Sequence, residues 1–226
     1  MVQIARGGRA ADVRLKLLLS ALWLCPEPPH DTAMPARTWA RLLRLSDPDS
    51  AGARRVGEAI RWLDAERFLR ATWSPGGLTQ ITLLDECLAG GAYRSPVLDP
   101  SQGDEFDPRD RYIRLPASLW TSGWISALSG IALATLLTLL EAEPLDAATF
   151  WVSPTRASEI YGLSEGSRQR GVTELRRQRL LAVEPKSVAS PDGSPRRARH
   201  SLSISHARFR GVPGTRTARA APPQGS

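Results

Sequence analysis

The chain has 226 residues, with 30 basic and 23 acidic side chains and a formal charge of +7. The excess is local: residues 186–226 carry eight basic groups against Asp192 alone, so the remainder sums to zero and a polyanion contact is expected near the C-terminal end. Two cysteines, Cys25 and Cys87, exclude a disulfide framework or thiolate metal site, and no run of 18 apolar residues or cleavable leader is seen, so a cytoplasmic protein with no membrane partner is expected.

Residues 1–10 are rich in Gly and Arg and are expected to fray. From Asp12, the residues Leu15, Leu18, Leu19, Leu22 and Trp23 recur at helical spacing until Pro26, Pro28 and Pro29 stop the run. Pro35 to about Leu45 predicts a second helix, Ser46–Ser50 a turn, and Gly52–Glu66 a third helix burying Val56, Ile60 and Leu63. Phe68–Trp73 reads as a strand, Ser74-Pro75-Gly76-Gly77 as a hairpin tip, and Gln80–Leu84 as the returning strand. Periodicity is then lost over Asp85–Asp110, where Gly90, Gly91, Pro96, Pro100, Gly103 and Pro108 mix with Asp99, Asp104, Glu105 and Asp107. That composition predicts an acidic linker, with a short helix near Glu86-Cys87-Leu88. Tyr112–Leu115 predicts a short strand pairing with a second hairpin, Pro116–Leu128 one helix, and Ile131–Glu141 another. Trp120 and Trp124, four apart, read as core, with a seam between domains or subunits as the alternative use.

The segment from Phe150 to Ser205 repeats the earlier order. Thr155 opens a short helix, Leu163–Gly166 is a turn, and a second helix runs from about Ser167 to Arg179. Leu180–Val183 and Ser201–Ser205 are strands around a Pro/Gly loop at Ser190–Arg197. Ile60–Leu69 overlays Val172–Leu181 at a constant offset, matching Ile60 to Val172, Leu63 to Leu175, Arg67 to Arg179 and Phe68-Leu69 to Leu180-Leu181. Identical element order around the match makes internal duplication the better reading.

Helix, turn, helix, strand, tip, strand resembles the winged helix-turn-helix family. The resemblance implies an α+β, mainly α, fold of two tandem winged helix-turn-helix domains, at 11–85 and 111–209. The acidic Pro/Gly linker 86–110 would join them, and a basic disordered tail would occupy 210–226. It also implies that the helix at 167–179 enters the major groove of double-stranded DNA while the hairpin lies along the backbone.

On that helix Val172 and Leu175 mark one buried stripe, with Arg170, Glu174 and Arg177 pointing away and Ser167, Gln169, Thr173 and Gln178 on the flanks. Arg168 joins the candidate contacts. Arg170 suits a bidentate contact with guanine, Gln169 adenine, and Ser167 a phosphate; Glu174 either accepts from cytosine or repels phosphate. Arg196, Arg197, Arg199 and His200 follow the flexible tip Pro191–Pro195, where they would meet a phosphate strand. In the first copy Arg54, Arg55 and Arg61 are the candidates, but Glu58 stands where the second copy has Arg170. A solvated polar face is the bland alternative for each of these residues.

Catalytic chemistry finds little to work with. His30, His200 and His206 are isolated, and no Walker loop, dinucleotide fingerprint or nucleophile elbow appears, so neither enzyme activity nor a cofactor is expected. The expected function is sequence-specific binding of double-stranded DNA by a bacterial transcriptional regulator, nucleoid-associated and dimeric. A plasmid or mobile-element replication initiator and a winged-helix scaffold of a chromosome-organising complex are the alternatives.

Overall fold

The computed structural model describes residues 4, 9–85, 90–94, 112–144, 149–153, 158, 162–188 and 197–214. They form an α+β fold that is mainly helical. The first half is α1 (Arg9–Leu24), β1 (Asp31–Pro35), α2 (Ala36–Leu42), α3 (Ala51–Ala65), β2 (Leu69–Trp73) and β3 (Leu78–Leu83). The second is α4 (Ser118–Thr121), α5 (Trp124–Ala127), α6 (Gly130–Ala142), α7 (Glu165–Arg177), β4 (Leu181–Val188) and β5 (Arg197–Ile204), closed by a 3-10 turn at His206–Arg210. Among the described residues no helix is long and apolar enough to cross a membrane.

Helix α1 is apolar around most of its circumference because it is covered on two sides. Val13, Leu15, Leu17, Leu18, Leu19 and Ala21 are all buried, and the helix packs on both α3 and α6. The first sheet has the order β1-β3-β2, with Asp31 opposite Thr82 and Leu69 opposite Leu83. Strand β1 is absent from the sequence reading, because Asp-Thr-Ala-Met-Pro shows no β-branched alternation. It exists because it pairs with an edge of β3, aided by Gln80 Nε2 donating to Asp31 Oδ2 at 2.8 Å.

Helices α3 and α7 end in the same way. Arg67 and Arg179 both have φ 61°. The following amides, of Phe68 and Leu180, donate to the carbonyls of Leu63 and Leu175, each at 2.9 Å. This is a Schellman closure, with buried apolar residues at both ends of the longer bond. The ends of α1 and α6, Leu24 and Ala142, precede Thr32 and Phe150 by the same interval. Thr32 lies opposite Ile81, and Phe150 lies opposite Leu202. Each half thus has a helix, a bridge to a hairpin strand, a Schellman-closed helix and that hairpin in the same order.

Several sequence expectations are corrected. Pro116–Leu128 is not one helix: Gly123 at φ 80° breaks it into α4 and α5. Tyr112–Leu115 forms no strand; Phe150 supplies the bridge to the second hairpin, exchanging hydrogen bonds of 2.9 and 2.8 Å with Leu202. The expected turn at Leu163–Gly166 is shorter, because Ser164 caps α7 by accepting from the Ser167 amide at 3.3 Å, so Glu165 and Gly166 are helical. Helix α7 ends at Arg177, and both hairpin strands are longer than expected, β4 running through Pro185. The helices expected near Glu86–Leu88 and opening at Thr155, the acidic run from Asp99 to Asp107, and the hairpin tip with Arg196 lie outside the described residues.

The two halves share one continuous core. Trp124 is fully buried, whereas Trp120 lies in the seam, stacked on Trp23 at 4.8 Å with the rings 9° from parallel. At the start of α6 the backbone of Gly130 comes so close to Asp12 that a Cβ would sit 2.7 Å from its Cα.

Candidate nucleic-acid interface

Gly171 fixes how α7 lies. A Cβ there would come 2.0 Å from Thr135 Oγ1, so only glycine lets α7 approach α6 this closely. Leu175, fully buried one turn later, completes the contact, while Val172 is only half-buried. The buried stripe thus centres on Gly171 and Leu175, turning the helix by about 50° from the orientation expected from Val172 and Leu175.

That rotation sorts the candidate residues. Gln169, Arg170, Thr173 and Arg177 are exposed, and Arg176, absent from the expected set, joins them. Glu174 is the correction. It does not face outward with Arg170; its carboxylate accepts from the Ser129 amide at 2.7 Å and from the Ser129 hydroxyl at 2.6 Å. Ser129 in turn caps α6, its Oγ accepting from the Ala132 amide at 3.1 Å. Glu174 thus ties α7 to the start of α6.

At the first turn Glu165 accepts from Arg168 through two bonds, of 2.6 and 2.9 Å, and from Gln169 Nε2 at 3.3 Å. The bond from Arg168 holds the Glu165 carboxyl below its usual range. Arg168 is therefore partly hidden and already paired. Arg170 stays over its own turn, donating to Gly166 O at 3.3 Å and to Ser167 Oγ at 3.2 Å, and Ser167 is half-buried. Both acids of α7 are thus engaged within the protein, and the open face presents three arginines, one glutamine and one threonine.

The β4–β5 hairpin follows directly, in register from Leu181 opposite Ile204 to Val188 opposite Arg197. Leu181, Leu202 and Ile204 anchor its base in the core. Arg199 lies opposite Lys186, and His200, which is exposed, opposite Pro185. Arg197 and Arg199 occupy the distal half of β5, and Arg196 falls outside the described residues.

Beyond the hairpin the chain turns back to α7. Arg208, counted in the sequence among the basic groups of the C-terminal end, is buried. Its guanidinium lies 4.9 Å from the Trp124 ring and donates to the carbonyls of Gln178 and Val212 at 3.3 and 3.0 Å. Trp124 Nε1 donates to the carbonyls of Phe209 and Gly211, and the Gly214 amide donates to Gln178 Oε1 at 3.3 Å. Residues 211–214, expected to begin a disordered tail, are instead packed against the end of α7. A signal existed for this in the sequence, namely Phe209, which is fully buried, but the Arg/Gly/Pro composition around it hid it.

The equivalent helix of the first half differs. Arg54 and Arg61 are exposed and Arg55 is half-buried, but Arg54 lies 4.0 Å from Glu58. Asp64, at the position of Arg176, accepts from the Ala71 amide on β2 at 3.0 Å. Its face mixes both signs, with Glu58 at the place of Arg170. No protein-family model matches the chain, and no curated protein matches it.

Proposed function

We propose that the chain is a sequence-specific double-stranded DNA-binding protein, built as two tandem winged helix-turn-helix units and acting as a bacterial transcriptional regulator without catalytic chemistry. The carrying observation is the open face of α7, where Gln169, Arg170, Thr173, Arg176 and Arg177 are exposed while Glu165 and Glu174 are engaged by Arg168 and Ser129. A convex helix bearing uncompensated arginines and a glutamine suits the major groove, whose edges offer acceptors to the first and a donor–acceptor pair to the second. The adjoining hairpin, with Arg197 and Arg199 on β5, supplies phosphate contacts that set register without reading sequence.

Binding-site selection from a random duplex library, followed by a salt-titrated mobility shift on the selected site, tests this reading. Affinity is expected to fall by roughly 10³–10⁵ between 50 and 200 mM salt, as for six to ten phosphate contacts. Arg170→Ala should cost about 1–3 kcal/mol and relax preference at one base pair, whereas Arg177→Ala should weaken all sequences alike if it grips phosphate. Absence of any shift at low salt, or a shift indifferent to both substitutions, would reject DNA reading by α7. The unequal charge of the two helices, α3 mixed and α7 basic, also fits a plasmid or mobile-element replication initiator. Selected sites arranged as direct repeats beside an origin, rather than as a promoter palindrome, would favour that second reading.

A further inference from the structure

The turn between α1 and β1 and the segment 90–94 enclose a crease on the first half, away from α7. Its volume is about 610 Å³, within the usual range for a small-molecule site. Pro26, Pro28 and Pro29 form one wall, exposed and without amide donors. Leu83, Leu84 and His30 form the floor. Tyr93 and Arg94 come from the segment opposite, which is pinned by the Leu84–Ala92 bridge and by the Asp85 amide donating to Gly91 O at 2.9 Å.

The floor is preorganised. The His30 ring is held on one side by Nδ1, 3.0 Å from the Cys25 carbonyl, and on the other by the edge-to-face contact with Tyr93 at 5.0 Å. Its own carbonyl accepts from the Leu83 amide at 2.9 Å. A fixed ring among prolines and leucines offers a flat apolar slot, the kind of surface that takes a ring rather than a flexible chain.

The charge of the rim is one-sided. Arg70 on β2 and Arg94 both line the crease and both are exposed, and among the described residues no Asp or Glu is part of its lining. Among the described residues neither arginine is engaged in an ion pair or a side-chain hydrogen bond. Two uncommitted guanidinium groups over an apolar slot match a ligand with an anionic head and a planar apolar body. We propose that this crease is a binding site for a small ring-bearing organic anion, a carboxylate or phosphate ester. The proposal stands independently of DNA binding, since it concerns the free protein and residues outside α7.

The test is titration of the full-length, isotope-labelled protein with benzoate, phenyl phosphate and benzyl alcohol, followed by amide NMR. Saturable shifts confined to residues around His30, Arg70, Leu84 and Tyr93 are expected with one or both anions, and binding of benzyl alcohol at least tenfold weaker. The double variant Arg70→Gln/Arg94→Gln should lose at least tenfold in anion affinity while its remaining amide spectrum reports an intact fold. Tighter binding of phenyl phosphate than of benzoate would identify the head group as a phosphate ester. Equal binding of the alcohol and the anions, equal binding by the double variant, shifts scattered over other arginines, or no saturation by either anion would overturn the proposal.

Discussion

Arg67 occupies a backbone conformation that L-residues other than glycine enter at a cost, and it does so only to close α3. Arg44 at φ 53° and Arg179 at φ 61° do the same for α2 and α7. Each is exposed, so the side chain offers little in return through packing. Arg67→Gly should therefore stabilise the fold, by up to about 1 kcal/mol, and Arg67→Val should destabilise it by about 1–2 kcal/mol. Urea unfolding midpoints at constant slope would check both, and the DNA binding proposed for α7 should be unchanged by either. A loss of stability in the glycine variant would mean that the guanidinium contributes more than its exposure allows.

At the scale of elements, the junction of α6 and α7 rests on Glu174 and Ser129. Glu174→Ala strands two donors at the start of α6 and should cost about 1–3 kcal/mol, read as a lowered unfolding midpoint. The alternative, that Glu174 faces DNA and repels phosphate, predicts instead a tighter complex with stability unchanged, so the two measurements together decide. This residue also marks where the sequence ceased to be legible. Helices α1, α2, α3 and α6 and the first hairpin could be read from apolar spacing and from turns such as Ser74–Gly77, because those signals are local. The rotation of α7 could not, because it is set by Gly171 meeting Thr135 on a distant helix, and a glycine carries no apolar signal. That single omission placed Glu174 on the open face and left Arg176 out. Strand β1 was missed for a related reason: its five residues become extended through pairing with β3, which no local pattern announces. The break at Gly123 is a third case, since glycine inside an apolar run is compatible with a helix until its φ is known. Of the candidate interface, the exposed positions Gln169, Arg170, Thr173 and Arg177 were legible from helical angles alone.

For the whole molecule, the consequence of packing α1 against both α3 and α6 is that the buried residues of the two halves form one continuous cluster. Unfolding should be a single cooperative transition despite the similar element order of the two halves. Tryptophan fluorescence draws on both halves, including the fully buried Trp39 of the first and Trp124 of the second. Its urea transition should coincide with that of far-UV circular dichroism. Two separated midpoints would contradict a shared core. Trp120→Ala removes the stack on Trp23 at the seam and should shift both probes together.

The return of the chain to Gln178 has a practical corollary for anyone labelling this protein. Gly214 lies one hydrogen bond from the end of α7, so a fluorescent fusion or purification handle joined directly after it would start beside the surface proposed to meet DNA. Reporters intended to leave that surface accessible are better joined at the opposite terminus.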